Sequence, residues 1–226
     1  MGTDTTTLSD PGAGTLRDAM VDRLRERGVL ADARVISAMR AVPRHLFVPD
    51  APLVRAYSGE SVVTHRDAQG VATSSVSEAG IVAVMLQQLD LQPGDRVLEI
   101  GAGTGYNAAL LAELAGPSGA VTSIDIDAVV VQEAGQRLRS TGYGSVGVVC
   151  ADGDAGHRQA APFDRIIVTA GAWDLPAAWL EQLAPDGLLV VPLRLRGLTR
   201  SVALRRQAGH WRSVSMHECG FMPIRG

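Results

Sequence analysis

The stretch that most constrains this chain is Val97-Leu98-Glu99-Ile100-Gly101-Ala102-Gly103-Thr104-Gly105-Tyr106, followed by an Ala/Leu-rich run over 107–115. A short apolar strand carrying an acid runs into glycines at alternate positions and then into a helix. Glycine lets the backbone turn tightly and lets a ligand lie against it with no Cβ between. The spacing is G-x-G-x-G. Dinucleotide sites use G-x-G-x-x-G and rest a pyrophosphate on the helix N-terminus. Glu99 sets negative charge just ahead of the loop, where it repels a pyrophosphate and holds a cation. S-adenosylmethionine, with a cationic ammonium and a cationic sulfur, meets that requirement, and S-adenosylhomocysteine is its product. Val121-Thr122-Ser123-Ile124 reads as the next strand, and Asp125 stands 20 residues beyond Gly105. A βαβ unit brings an acid at that distance to ribose hydroxyls. Both kinds of cofactor carry such a ribose, so Asp125 does not choose between them.

The chain has 226 residues, 46% of them hydrophobic, enough for one sizeable domain. A formal net charge of −3 gives no reason to expect a nucleic-acid partner. The arginines between Arg194 and Arg212 alternate with apolar residues and read as a solvated strand face. No apolar run reaches membrane-spanning length. Residues 1–14 lack the pattern of a secretory signal and read as a flexible lead-in. Cys150 and Cys219 lie far apart without metal-ligand spacing. Cys150 ends an apolar run and reads as a buried thiol, and this usage suits a reducing cytoplasm. The expectation is a cytoplasmic monomer with no metal and no membrane partner.

Apolar periodicity predicts helices over 16–27, 31–39 and 77–89, the last with Ser77 at or near its N-cap and Glu78 in its first turn. Residues 42–49 break the pattern as an ordered connector, and 57–70 read as polar and irregular. From Arg96 short apolar strands (97–100, 120–124, 146–150, 165–169, 187–192) alternate with helices (107–115, 128–140, 176–183). That alternation predicts a mostly parallel α/β sheet with helices on both faces. Residues 201–206 and 211–217 predict an antiparallel hairpin at its edge. Residues 15–90 form a helical cap, too small for its own core, on a cofactor-binding core over 91–226, so a single domain is expected from 15 to 226.

At this point the chain resembles the protein-L-isoaspartate (D-aspartate) O-methyltransferase family. The likeness rests on Val42-Pro43-Arg44-His45-Leu46-Phe47-Val48-Pro49, Ala56-Tyr57, the glycine loop, Asp152-Gly153, Phe163-Asp164-Arg165-Ile166-Ile167-Val168-Thr169-Ala170 and Val191-Pro192. The resemblance implies a Rossmann-like class I methyltransferase fold. It places the cofactor over Glu99, Gly101, Gly103 and Gly105, with Asp125 on the ribose, Asp152 on the adenine amino group, and Gly153 and Thr169 beside them. The family's acceptor segment, Gly-Gln-Thr-Ile-Ser-Gln-Pro, falls on Thr73-Ser74-Ser75-Val76-Ser77-Glu78-Ala79. Its two hydroxyls survive as Ser75 and Ser77, the implied catalytic pair, with Ser74 and Val76 beside them. The two Gln, the Gly and the Pro do not survive, and the family's acid two residues after Ala-Tyr is Gly59 here. All these departures fall on the acceptor side.

A carboxylate is already ionised at neutral pH and needs no general base to take a methyl group. The protein must supply alignment and exclude water. The resemblance therefore implies methylation of an Asp or isoAsp carboxylate in a peptide or protein, the ester then closing to a succinimide. Relatives that act on ribosomally made peptides such as lanthipeptides fit the altered acceptor segment, which favours peptide maturation slightly over damage repair. Arg44 either meets the substrate carboxylate or holds the connector, and His45 is a weaker candidate of the same kind. Trp173 either walls the peptide cleft or covers the sheet. A same-fold enzyme with a small-molecule or other heteroatom acceptor, and a non-catalytic binding module, are the alternatives.

Overall fold

The computed structural model describes residues 11–207 and 209–224. Helix α1 (Pro11–Glu26) begins earlier than expected, so residues 11–14 are helical and not a lead-in; residues 1–10 lie outside the described residues. Helix α2 (Ala33–Ala41) starts after Asp32, whose side chain accepts from the backbone N–H groups of Arg34 and Val35. That cap fixes the helix start two residues later than periodicity suggested. One 3-10 turn (Arg44–Phe47) and the short α3 (Leu53–Ala56) form the connector.

The segment read as irregular contains a strand. β1 (Val62–Arg66) pairs antiparallel with β2 (Ala72–Val76) in a separate two-stranded sheet. Its turn is built by Asp67, whose carboxylate accepts from the N–H groups of Gln69 and Val71. Helix α4 (Ala79–Leu89) follows; its N-cap is Glu78, directly after Ser77, so Glu78 precedes the first turn and does not lie in it.

The alternation then runs as predicted: β3 (Arg96–Ile100), α5 (Tyr106–Ala115), β4 (Ala120–Asp125), α6 (Ala128–Ser140), β5 (Gly147–Cys150), β6 (Phe163–Val168), α7 (Ala177–Gln182) and β7 (Leu183–Leu195). β8 (Leu198–Gln207) and β9 (His210–Glu218) form the expected edge hairpin, with Gln207 opposite His210; Ala208 lies outside the described residues. Sheet order is β5-β4-β3-β6-β7-β8-β9. The first five run parallel, β8 pairs antiparallel with β7, and β9 pairs antiparallel with β8. β3 carries β4 on one side and β6 on the other, so the chain reverses its winding there. In such sheets ligands bind in the crevice beyond the strand ends at that reversal.

One face of the sheet is covered by α1, α2, α4 and α5 through a continuous core that runs from Ala13 through Met39, Leu86 and Leu110 to Val97 and Val190. The N-terminal helices thus share the core of the sheet. The opposite face packs Leu98, Ile166, Leu189 and Val202 against Trp179 of α7. Cys150 is exposed, against expectation, because β5 is the outermost strand and its end meets solvent.

Candidate active site

The carboxyl ends of β3, β4 and β6 open into a cavity of about 600 Å³, within the usual range for small-ligand sites. Glu99, Gly101, Gly103, Asp125, Gly153 and Thr169 line it on the sheet side, and Ser74, Ser75, Val76 and Ser77 line it on the hairpin side. Gly105 heads α5 at the base of the loop with φ of 88°, and a Cβ there would lie 3.1 Å from Leu138. Gly101 has φ of 101°, and a Cβ on it would lie 2.5 Å from Thr169 Oγ1. That hydroxyl donates to the Gly101 carbonyl at 2.6 Å, locking β6 to the loop. At Gly103 a Cβ would sit 3.5 Å from the Ser75 carbonyl oxygen. The loop and β2 therefore face each other at close range, and the absent side chain is what leaves space between them.

The charges on this cavity are one-sided. Among the described residues its lining holds Glu78, Glu99 and Asp125 and no arginine or histidine. Glu99 is fully buried, with Asn107 Nδ2 donating to Oε1 at 2.8 Å and Ser123 Oγ donating to the other oxygen. Burial pushes its carboxyl up to about 7, the two hydrogen bonds pull against that, and the Asp125 charge adds to the rise. Asp125 Oδ2 accepts from the Gly103 N–H at 3.2 Å. An acidic, cation-poor cavity over a bare glycine loop suits a cationic nucleoside ligand and opposes a phosphate.

Several residues singled out from the sequence lie elsewhere. Arg44 is fully buried and outside the lining. Its Nε donates to the Ala56 carbonyl at 2.9 Å, and its Nη2 to the carbonyls of Glu60 at 3.1 Å and Ser77 at 2.8 Å. It ties the connector to Ser77 at the end of the hairpin segment, the second of its two readings from the sequence. His45 Nδ1 pairs with the Tyr57 hydroxyl at 2.8 Å, also outside the cavity. Trp173 is 60% exposed beneath the Arg194 guanidinium, 4.7 Å from its ring centroid, and does not line the cavity. Asp152 is exposed and accepts from the Asp154 N–H at 3.0 Å, so it caps its own turn while only its neighbour Gly153 reaches the lining. The first N–H of α4, on Ala79, donates to the Gly59 carbonyl at 2.7 Å, which ties the helix start to the connector.

One part of the wall was missed. Gly220, Phe221, Met222, Pro223 and Ile224 line the cavity. They are held by the Gly171 N–H donating to the Met222 carbonyl and the Ile224 N–H donating to the Gly171 carbonyl. The apolar run Phe221-Met222-Pro223-Ile224 was visible in the sequence, but nothing in it says which strand end it returns to.

Together the reversed parallel sheet, the glycine loop at its centre and the two strand-end acids define an S-adenosylmethionine-dependent methyltransferase of the Rossmann-like class I fold. A family model described as protein-L-isoaspartate(D-aspartate) O-methyltransferase matches residues 15–226, and the chain belongs to that family of carboxyl O-methyltransferases. Protein-L-isoaspartate O-methyltransferase 2 of Archaeoglobus fulgidus is 37% identical over 210 residues, 93% of this chain and 93% of that protein. The protein-L-isoaspartate O-methyltransferase of Aeropyrum pernix is 43% identical over 176 residues, 77% of this chain and 65% of that one. A solved protein-L-isoaspartate O-methyltransferase superposes with a TM-score of 0.81 at 28% identity, covering 93% of this chain and 66% of that longer chain. A Plasmodium falciparum structure in complex with S-adenosyl-L-homocysteine gives a TM-score of 0.80 at 18% identity over 92% of this chain and 98% of that one, a likeness of fold.

Proposed function

We propose that this enzyme transfers a methyl group to the side-chain carboxylate of an isoaspartyl residue in a peptide or protein. The observation that carries the reading is the meeting of β2 with the glycine loop. Ser75 and Ser77 line the same cavity as Gly101 and Gly103, and among the described residues their hydroxyls make no hydrogen bond. Two unengaged donors on one wall suit the two oxygens of a carboxylate. When bound, S-adenosylmethionine supplies an electrophilic methyl on a cationic sulfur. Glu99, Asp125 and Gly103 would hold it, with Gly153 and Thr169 closing the far side.

The chain's own work is positional. Ser75 and Ser77 orient the acceptor carboxylate, which arrives ionised and needs no base. Val76, Val82, Met85 and Phe221 give the cavity apolar walls that thin the water around that anion. Arg44 holds the Ser77 carbonyl from behind. The ester product is then attacked by the next backbone nitrogen, losing methanol and leaving a succinimide.

The relatives named above are protein-L-isoaspartate methyltransferases, which weights the isoaspartyl acceptor and lends nothing to peptide natural-product maturation. An aspartyl acceptor stands as the second reading because Thr73, Ser74, Glu78, Ala79 and Gly59 all depart from the family's acceptor side. Incubating matched isoaspartyl and aspartyl peptides with S-adenosylmethionine and following the methyl mass gain separates the two. The isoaspartyl peptide is expected to react faster, and Ser75→Ala and Ser77→Ala are each expected to slow transfer about tenfold or more. Turnover confined to the aspartyl peptide would transfer the proposal to the second reading, and unchanged rates in both serine variants would remove them from the site.

A further inference from the structure

β1 and β2 form a sheet of their own, and His65 of β1 joins it to α6. His65 Nε2 stands 3.3 Å from Glu133 Oε2, and Arg137, one turn further along α6, donates to the same oxygen at 2.9 Å. The other ring nitrogen, Nδ1, lies 3.4 Å from Thr64 Oγ1. Thr64 Oγ1 in turn donates to Ser74 Oγ at 3.2 Å across the hairpin. A threonine hydroxyl has one proton. Thr64 gives it to Ser74, so Thr64 receives from Nδ1. Ser74 accepts and keeps its own proton to donate. Ser74 is buried, lines the cavity and sets its Oγ 3.9 Å from where a Cβ on Gly103 would stand. The chain of bonds thus runs from α6 to the face of the glycine loop.

S-adenosylmethionine and S-adenosylhomocysteine carry a carboxylate beside their ammonium. The acids of this cavity attract the ammonium and repel the carboxylate, which must find donors elsewhere. The loop offers few. The N–H groups of Gly101 and Ala102 go to the Ile124 carbonyl, that of Gly103 to Asp125, and that of Gly105 to the Ala102 carbonyl. The reading above gives Ser75 and Ser77 to the acceptor. Building on the cofactor's place over this loop, we infer that Ser74 donates to the cofactor's carboxylate and that His65, clamped by Glu133, is the positioning residue that aims it. Without the ring, Thr64 is free to turn, and Ser74 donates to Thr64 instead of the ligand. The family segment that the chain resembles has glutamine at the place of Ser74, so the relay belongs to this chain's own hairpin.

The test is equilibrium binding without any peptide, so failure of the acceptor reading does not touch it. Calorimetry compares S-adenosylhomocysteine with its decarboxylated analogue, which keeps the nucleoside, the sulfur and the ammonium and lacks only the carboxylate. The ratio of the two affinities cancels any loss of folded protein. Ser74→Ala is expected to cut the ratio about tenfold and His65→Ala severalfold. The double variant should lose no more than Ser74→Ala alone, since both act through one hydroxyl. His65→Asn, whose amide N–H falls where Nδ1 stands, should restore most of the ratio. A clasp that merely fastens the hairpin would weaken both ligands together and leave each ratio at the wild-type value. That result for His65→Ala, or a ratio unmoved by Ser74→Ala, overturns the inference. Additive losses in the double variant would place the effect of His65 outside the relay and overturn its positioning role. Failure of the wild-type protein to bind either ligand would remove the cofactor from the loop, and this inference with it.

Discussion

The two walls of the cavity are made differently. The proposed cofactor wall is built on backbone, a glycine loop at a strand end fixed by Thr169 on one side and Asp125 on the other, with the Glu99 and Asp125 carboxylates beside it. The proposed acceptor wall is a polar two-stranded hairpin of side chains, fixed from behind by one buried arginine. Backbone recognition tolerates change in the surrounding side chains, whereas side-chain recognition changes whenever its residues do. This explains why the chain keeps its family's loop residues and departs from it at Thr73, Ser74, Glu78 and Ala79. The comparison predicts that the walls can be damaged separately.

The largest effect is expected at Arg44. Arg44→Met strands the carbonyls of Ala56, Glu60 and Ser77 in the interior and should cost about 3–5 kcal/mol of folding stability, read by urea denaturation. The folded fraction should lose methyl transfer more than S-adenosylhomocysteine affinity; equal losses would mean the walls are one unit. Next comes Gly101→Ala, which forces a side chain into φ of 101° and against Thr169 Oγ1. That strain is worth about 1–3 kcal/mol and should weaken S-adenosylhomocysteine binding about tenfold or more in calorimetry. Undiminished affinity would show that the loop is not the cofactor wall.

Glu99 gives a pH signature. Its carboxyl is raised from 4.5 to about 7 by burial, so the folded protein binds a proton between those values that the unfolded chain does not. The stability this contributes is complete below the unfolded value and is lost as pH rises through about 7. A cation bound beside Glu99 favours the carboxylate. Binding of S-adenosylhomocysteine, through its ammonium, should then release a proton and tighten about tenfold from about pH 6 to about pH 8. Calorimetry in buffers of different ionisation enthalpy checks this, and Glu99→Gln should abolish the release. The smallest effect is expected at Asp152. Asp152→Ala removes a turn cap worth about 1 kcal/mol and should change cofactor affinity less than threefold; a large loss in calorimetry would return Asp152 to the adenine.

The sheet side of the cavity was legible because each of its parts is local. Glu99, the three loop glycines and the strand-end Asp125 lie within one βαβ unit, and α6 falls on residues 128–140 as its periodicity predicts. The hairpin was not legible, since β1 and β2 cover a cavity instead of a core and carry Thr, Ser and His without apolar alternation. Only the turn at Asp67 to Gly70, between two Thr/Val-containing runs, announced it. Arg44 and Trp173 each had two readings in the sequence. Long-range packing chose between them, burying Arg44 under three carbonyls from distant segments and leaving Trp173 outside the cavity beneath Arg194.

By itself, then, the sequence determined the parallel sheet, its central loop and the charge that chooses a cationic cofactor, because short-range periodicity, glycine spacing and a strand-end acid act within a few residues of one another. The tertiary structure alone decided how β2 meets Gly103, how residues 220–224 return to close the cavity, and which of the candidate residues point into it. Those are contacts between segments more than twenty residues apart in the chain, and no local preference encodes which of many distant partners a polar strand or an apolar tail will meet.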